Sequence, residues 1–179
     1  LLYFITAEFL NANPKHKSFL LHLILWTSIL VSIGGFIQLL IMPDFTLYAI
    51  KYGWDPHQNR LLGTFFDPNF IGSYFAMILA LAFSLFPSSN KKLKAVIVVA
   101  IIFCSIALLL TFSRTGYVAF LSAFLIIGAL RSPKLIIIGL LCITLGLMSS
   151  PRAVKRITDG LSVDATGLKR VESWNKGMR

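Results

Sequence analysis

Charge is what this sequence has least of. Only 13% of its 179 residues are charged, and only seven of those are acids, where a soluble domain carries about a quarter. That excludes an ordinary water-soluble fold. Histidine and cysteine are equally sparse. His16, His22 and His57 are scattered, and Cys104 and Cys142 stand far apart, each inside an apolar run with no Cys-x-x-Cys spacing. No metal-ligand cluster can be assembled from them, so neither a metal nor a cofactor is expected. The net charge of +10 does not indicate nucleic acid, because the cations form short blocks between apolar stretches rather than a basic face. Internal repeats and low-complexity segments are also missing.

What is present in excess is apolar surface: 56% of residues are hydrophobic and the mean hydropathy is +0.79. Long apolar runs read as membrane spans. No open sheet can live in lipid and the runs are too long for barrel strands, so the spans are helices. The expected fold is an all-α polytopic helical bundle. Its spans fall at about 1–10 (the end of a preceding span), 18–42, 70–86, 95–112, 116–130 and 135–150. The region 1–150 is then the membrane part, and 151–179 the start of a large extracytoplasmic loop. With no Met at position 1 and a polar end at Arg179, the chain reads as a piece of a longer protein. Gly34-Gly35 inside the second span would allow a neighbouring helix to come close.

Short-loop cations set the expected orientation. Lys15, Lys17, Lys91, Lys92, Lys94, Arg131 and Lys134 fall on one side with no acid among them. The positive-inside rule puts that side in the cytoplasm, so the loop 43–69 and the link 113–115 face outward. By the same parity 151–179 lies outside, although it carries Arg152, Lys155, Arg156, Lys169, Arg170, Lys176 and Arg179. Cations on the disfavoured side would be explained by an anionic substrate or headgroup; exemption of a long loop from the rule is the alternative.

Three outward segments carry candidate site residues. In 60–69, Asp67-Pro68 is a helix opening, with Asp67 (or Asn69) as cap and Pro68 in the first turn. The positive end of that helix points outward. Arg60 adds a fork of donors suited to phosphate oxygens, and Gly63 would let the backbone approach a ligand or helix. In Thr111-Phe112-Ser113-Arg114-Thr115-Gly116 the link is short. The arm 116–130 spans only about 22 Å at 1.5 Å per residue, which would pull Arg114 toward the membrane. An arginine there is costly and by default functional. Ser113 or Thr115 can cap the second arm. In the tail, Asp164 or Thr166 could cap a helix on which Arg170 and Trp174 share a face, with Trp174 suited to the interface. Each segment also has a plain reading: a capped helix with an exposed Arg, a snorkelling Arg, and a basic amphipathic helix lying on anionic lipid.

Taken in order, Arg60-x-x-Gly63-Thr64-Phe65-x-Asp67-Pro68-Asn69, then Thr-Phe-Ser113-Arg114-Thr-Gly opening a span, then Asp…Arg170…Trp174 after a further span, the set resembles the O-antigen ligase and Wzy-type polysaccharide polymerase family over about 60–174. The resemblance implies a GT-C-like inner-membrane glycosyltransferase working without metal. Such an enzyme moves a glycan from an undecaprenyl-pyrophosphate carrier to an acceptor on the outer side. The acceptor is lipid A–core in the ligases and another carrier-linked repeat in the polymerases, and relatives modify proteins. By motif, Arg114 and Arg170 would engage the pyrophosphate. Arg60 would join them with a less defined role, supported by Ser113, Asp67, Asn69 and Trp174. The general base would be a histidine of the outer loop, beyond Arg179; His57 matches no family position. The rival classes are a transporter of an anionic solute and a non-catalytic membrane scaffold. Against transport, Gln38 is the only strongly polar side chain well inside 18–42, and the later spans carry mainly Ser and Thr.

Overall fold

A computed structural model describes residues 2–52, 56–131 and 174–177. Among them the chain is helical and forms no strand: α1 Leu2–Ala12, α2 Pro14–Ile41, α3 Thr46–Tyr52, α4 Pro68–Leu85, α5 Lys91–Thr111 and α6 Arg114–Arg131. Three of the described helices are long and apolar enough to cross a bilayer, over His16–Ile41, Pro68–Ser88 and Lys91–Thr111. They make this a helical membrane protein. The count differs from the five full spans expected: α6 is apolar over the shorter Arg114–Leu130, and 135–150 lies outside the described residues.

Helix boundaries follow the local chemistry. Pro14 sits in the first turn of α2, where its missing N–H costs nothing. Asn90 caps α5 by accepting from the Leu93 N–H at 2.9 Å. Lys91, Lys92 and Lys94 therefore belong to the first turn of α5, and Lys15 and Lys17 to that of α2, rather than to loops. The region 43–69 is not one loop either. It holds α3, a 3-10 turn at Gly63–Phe65 and an antiparallel bridge between Asp44 and Gln58.

Packing fixes the helix directions. Near one end, Leu25 and Ile29 of α2 pack with Ala82 of α4 and with Leu93, Ile97 and Ala100 of α5. Toward the other end, Leu61, Ile71, Phe75, Ile78, Leu79, Cys104, Ala107 and Leu108 form the larger core cluster. Thus α2 and α5 run toward the end that carries Arg60, and α4 and α6 run away from it. The basic residues of the α2 and α5 first turns, with Arg131 at the close of α6, gather at the opposite end.

The outer faces are apolar. Trp26, Leu30 and Leu40 on α2, Met77 on α4, Ile102 on α5 and Ile126 on α6 are all exposed, as a lipid-facing surface requires. Inside, the hydroxyls of Ser28 and Ser32 bond back to the carbonyls of Leu25 and Ser28, at 2.7 and 2.8 Å. Among the described residues no buried side-chain N or O atom lacks a partner.

Gly34-Gly35 works differently from the expectation. A Cβ at Gly34 would meet nothing within 4 Å, while one at Gly35 would run into the side chain of Leu61, a loop residue, at 2.7 Å. The close helix approach lies elsewhere, between α4 and α6. A Cβ on Gly116 would sit 3.0 Å from the Gly72 carbonyl carbon and 3.1 Å from its Cα.

Candidate functional site

The site is built at the end where α5 stops and α4 and α6 begin. A helix end leaves its last carbonyls without intrahelical donors, and here each of them is supplied. Leu108 O accepts from the Thr111 hydroxyl at 2.7 Å. Leu109 O accepts from the Phe112 N–H at 3.2 Å and from the Tyr117 hydroxyl at 2.8 Å. Leu110 O accepts from the Leu61 N–H at 2.9 Å. Thr111 O and Phe112 O accept from the Arg60 guanidinium at 2.8 and 3.1 Å. Phe112 closes the helix in the left-handed region at φ 48°, a conformation non-glycine residues keep only when neighbours hold it.

The segment bearing Arg60 is drawn into the bundle. Leu61 and Leu62 are fully buried and Arg60 is 8% exposed. Gln38 of α2 holds the other side: its carbonyl oxygen accepts from the Leu62 and Gly63 N–H groups at 2.8 and 3.1 Å, and its amide donates to Met42 O at 3.0 Å. Gly63 takes φ 54° at the turn, and a Cβ there would lie about van der Waals distance from Gly35 Cα while colliding with Ile71. Residues 60–63 are thus clamped between α2 and α5.

Both helix starts at this end are capped. Asp67 accepts from the Asn69 and Phe70 N–H groups at 2.6 and 3.0 Å, which makes it the cap of α4, with Pro68 in the first turn. Ser113 accepts from the Gly116 N–H at 3.2 Å, and its own N–H donates to the Thr111 hydroxyl oxygen at 3.2 Å. Ser113 is fully buried and donates its hydroxyl proton to Asn69 Oδ1 at 3.0 Å. One hydrogen bond therefore ties the α4 start to the α6 start.

Arg114 is the first residue of α6 and half-buried. This corrects the link expected at 113–115: only Phe112 and Ser113 lie outside helix. α6 then has 18 residues, or about 27 Å, so a short second arm no longer argues for drawing Arg114 below the headgroups. Its place next to the buried Ser113 remains.

The field at this end has a simple origin. The α5 carbonyl end is the negative pole of a helix, and Arg60 is laid against it. The positive end of α4 carries the Asp67 carboxylate, which already satisfies two of its N–H groups. The positive end of α6 carries a neutral cap, Ser113, and a cation, Arg114. The α4 start is thus capped by a carboxylate and the α6 start by a hydroxyl.

Of the sequence-predicted residues, Arg60, Asp67, Asn69, Ser113 and Arg114 come together here. Arg60 is turned to the Thr111 and Phe112 carbonyls at the end of α5. Trp174 is exposed on the helical turn 174–177, and Arg170 lies outside the described residues, as do the caps weighed at Asp164 and Thr166. His57 sits on the segment paired with 43–45, which leads into α3, its carbonyl accepting from the Phe45 N–H at 2.9 Å. The loop carboxylate Asp44 is held below its usual range, chiefly by its hydrogen bonds to Thr46. Among the described residues no three His, Cys, Asp or Glu side chains group as metal ligands.

Sequence reasoning missed the clamp made by Gln38 and the contact of Gly72 with Gly116. Gln38 had a signal, a lone strongly polar side chain in an apolar span, which implies a buried partner. Compared with known proteins, the chain matches no family model, no curated protein and no solved structure.

Proposed function

We propose that this helical membrane protein is a glycosyltransferase. It transfers a glycan from an undecaprenyl-pyrophosphate carrier to an acceptor hydroxyl at the outer face of the bacterial inner membrane, either lipid A–core or a second carrier-linked glycan. The observation that carries the reading is the position of Arg114 on the neutral-capped start of α6, beside the Ser113–Asn69 hydrogen bond. The motif order from Arg60 to Trp174 supports it. So does the gathering of the basic helix ends at the opposite pole of the bundle, which the positive-inside rule assigns to the cytoplasm.

In this reading the leaving group is a lipid pyrophosphate. The Arg114 guanidinium and the α6 N–H groups stabilise its developing charge, which is the electrostatic part of the catalysis. Arg170 supplies a second cation from the outer segment, and Trp174 rests at the interface. Arg60 contributes by keeping the α5 carbonyls from opposing the anion, and Asn69 and Asp67 shape the mouth. The acceptor hydroxyl needs a general base, a part that the family resemblance gives to a histidine of an outer loop.

The test is glycan transfer by the full-length protein supplied with an undecaprenyl-pyrophosphate glycan and an acceptor. Arg114→Ala is expected to lower the transfer rate by about 100-fold or more, the scale of removing one preorganised donor, and Arg170→Ala to act in the same direction. Undiminished transfer in the Arg114 variant would sink the pyrophosphate assignment. Uptake of an anionic solute into vesicles without any transfer would select the transporter instead.

A further inference from the structure

The short helix α3 is not needed for the caps and clamps described above, yet it is tied down firmly. Asp44 accepts from the Thr46 N–H at 2.8 Å. Gln58 donates to Asp44 Oδ2 at 3.3 Å and to the Thr46 hydroxyl oxygen at 3.0 Å. Backbone bonds from Phe45 N to His57 O at 2.9 Å and from Asn59 N to Pro43 O at 2.7 Å complete the pairing. α3 is therefore joined to 57–59, the stretch that leads directly into Arg60.

Its two faces differ. On one, Tyr48 packs against the buried Phe45 just before the helix, at 5.5 Å between ring centroids, and Phe45 in turn lies 6.2 Å from Phe66. On the other, Leu47 and Ile50 are 77% and 80% exposed, one helical turn apart. Lys51 follows at the last turn, its ammonium 5.2 Å from the centre of the Tyr52 ring. A helix in water turns polar residues outward; this one turns out two large aliphatic residues with a lysine at their edge. The last turn of α2 is similar, with Leu40 and Ile41 widely exposed. Only four residues separate Ile41 from the first residue of α3, so the two lie within about 18 Å along the chain.

We infer that α3 is an interfacial helix. Leu47 and Ile50 enter the upper acyl region of the leaflet at the Arg60 end, and Lys51 reaches the phosphate groups of the same phospholipids. Continuity with the lipid-facing end of α2 names the occupant. Aliphatic residues on one face with a cation beside them form the pattern of a helix lying in the headgroup boundary. Through its pairing with 57–59, α3 sets the depth at which Arg60, and with it the α5–α6 junction, sits below the phosphates. The inference rests on the membrane placement of the long helices and not on the transferase reading.

Nitroxide labels on single cysteines test it, in full-length Cys104→Ala/Cys142→Ala protein reconstituted into phosphatidylethanolamine–phosphatidylglycerol vesicles. Collision rates are read with oxygen and with a water-soluble nickel chelate. Labels at Leu47→Cys and Ile50→Cys are expected to collide with oxygen at least several-fold more than with the chelate, and a label at Thr46→Cys to show the reverse bias. A label at Met77→Cys, on the outer face of α4, is the reference for lipid. If positions 47 and 50 favour the chelate while 77 favours oxygen, α3 is in water and the inference is overturned. If 47 and 50 are shielded from both agents, a protein surface covers them, a second copy included, and the inference is equally overturned. If position 77 also favours the chelate, the membrane placement itself fails and takes the inference with it. Glycan transfer enters none of these outcomes. Should a label disturb folding, the same protein with Trp26, Trp54 and Trp174 replaced by Phe and Leu47→Trp as its single tryptophan, quenched by lipids brominated near the headgroup, gives the same decision.

Discussion

Arg60 donates from Nε to the carbonyl oxygen of Thr111 at 2.8 Å, although 51 positions separate the two in sequence. The same guanidinium reaches Phe112 O at 3.1 Å. A cation thus closes the negative end of α5 from a segment buried between helices, where an unpaired carbonyl would be costly. Arg60→Ala is expected to destabilise the protein by about 2–3 kcal/mol, the scale of a hydrogen bond to a charged group. Arg60→Lys should recover only part of this, because an ammonium cannot address two carbonyls as a planar fork does. Equilibrium unfolding in detergent micelles checks the order. If Arg60→Ala unfolds like the parent, the guanidinium is not what holds the α5 end.

That relationship also shows what a sequence can and cannot disclose. The apolar runs behind α2, α4 and α5 are legible because lipid demands about 20 apolar residues in a row. The Asp67-Pro68 start of α4 is legible because a cap and its proline are adjacent in the chain. Arg60 was legible as a residue of interest and not as a clamp, since its acceptors are backbone carbonyls and every residue has one. Ser113 and Asn69 each stood in a motif, but nothing in either motif says that a hydroxyl of one reaches the amide oxygen of the other. The seven residues of α3 are too few for a helical period to declare itself, and they lay hidden in an apparent loop.

Gln38 offers the cleanest probe of the clamp. Its side-chain oxygen serves two N–H groups at once, those of Leu62 and Gly63. Gln38→Leu keeps the bulk and removes both acceptor and donor. Two buried N–H groups and the Met42 carbonyl then lose their partner, at about 1–3 kcal/mol for each group left unsatisfied. The expected result is a loss larger than that of an ordinary surface substitution, with faster amide exchange at Leu62 and Gly63 than elsewhere in the bundle. Uniform exchange across the protein would mean that 60–63 is held by Arg60 and Leu61 alone.

The Asp44 carboxylate gives the loop a pH signature. Its hydrogen bonds with Thr46 lower its pKa in the folded protein. A depressed carboxyl stabilises the fold above its unfolded pKa, and that contribution disappears as pH falls through the folded value. The α3 start should therefore be intact at neutral pH and loosen only under acid conditions, below the range in which a free aspartate titrates. The Thr46 amide resonance is expected to follow this titration, and Asp44→Asn to abolish it. A Thr46 resonance that titrates at or above the free-aspartate range would contradict the hydrogen bond.

Three glycines in the described helices separate space from propensity. Gly34 has nothing within 4 Å of a would-be Cβ, so Gly34→Ala should gain about 0.5–1 kcal/mol from helix propensity alone. At Gly35 the obstruction is the fully buried Leu61 side chain, with Cγ and both Cδ atoms at 2.7 to 3.0 Å, so alanine there must displace Leu61 from the core and is expected to be destabilising as well. At Gly116 the obstruction is the Gly72 backbone, at 3.0 and 3.1 Å, which cannot yield without moving α4 away from α6. Gly116→Ala is therefore expected to cost about 1–3 kcal/mol. Because the Ser113–Asn69 bond lies one turn from that crossing, the proposed transferase function predicts that the same variant loses glycan transfer more steeply than it loses stability. Gly34→Ala should leave transfer unchanged. The comparison is read from unfolding midpoints and initial transfer rates of the three alanine variants. Equal behaviour of Gly34→Ala and Gly116→Ala would mean that α4 and α6 do not meet backbone to backbone at this crossing.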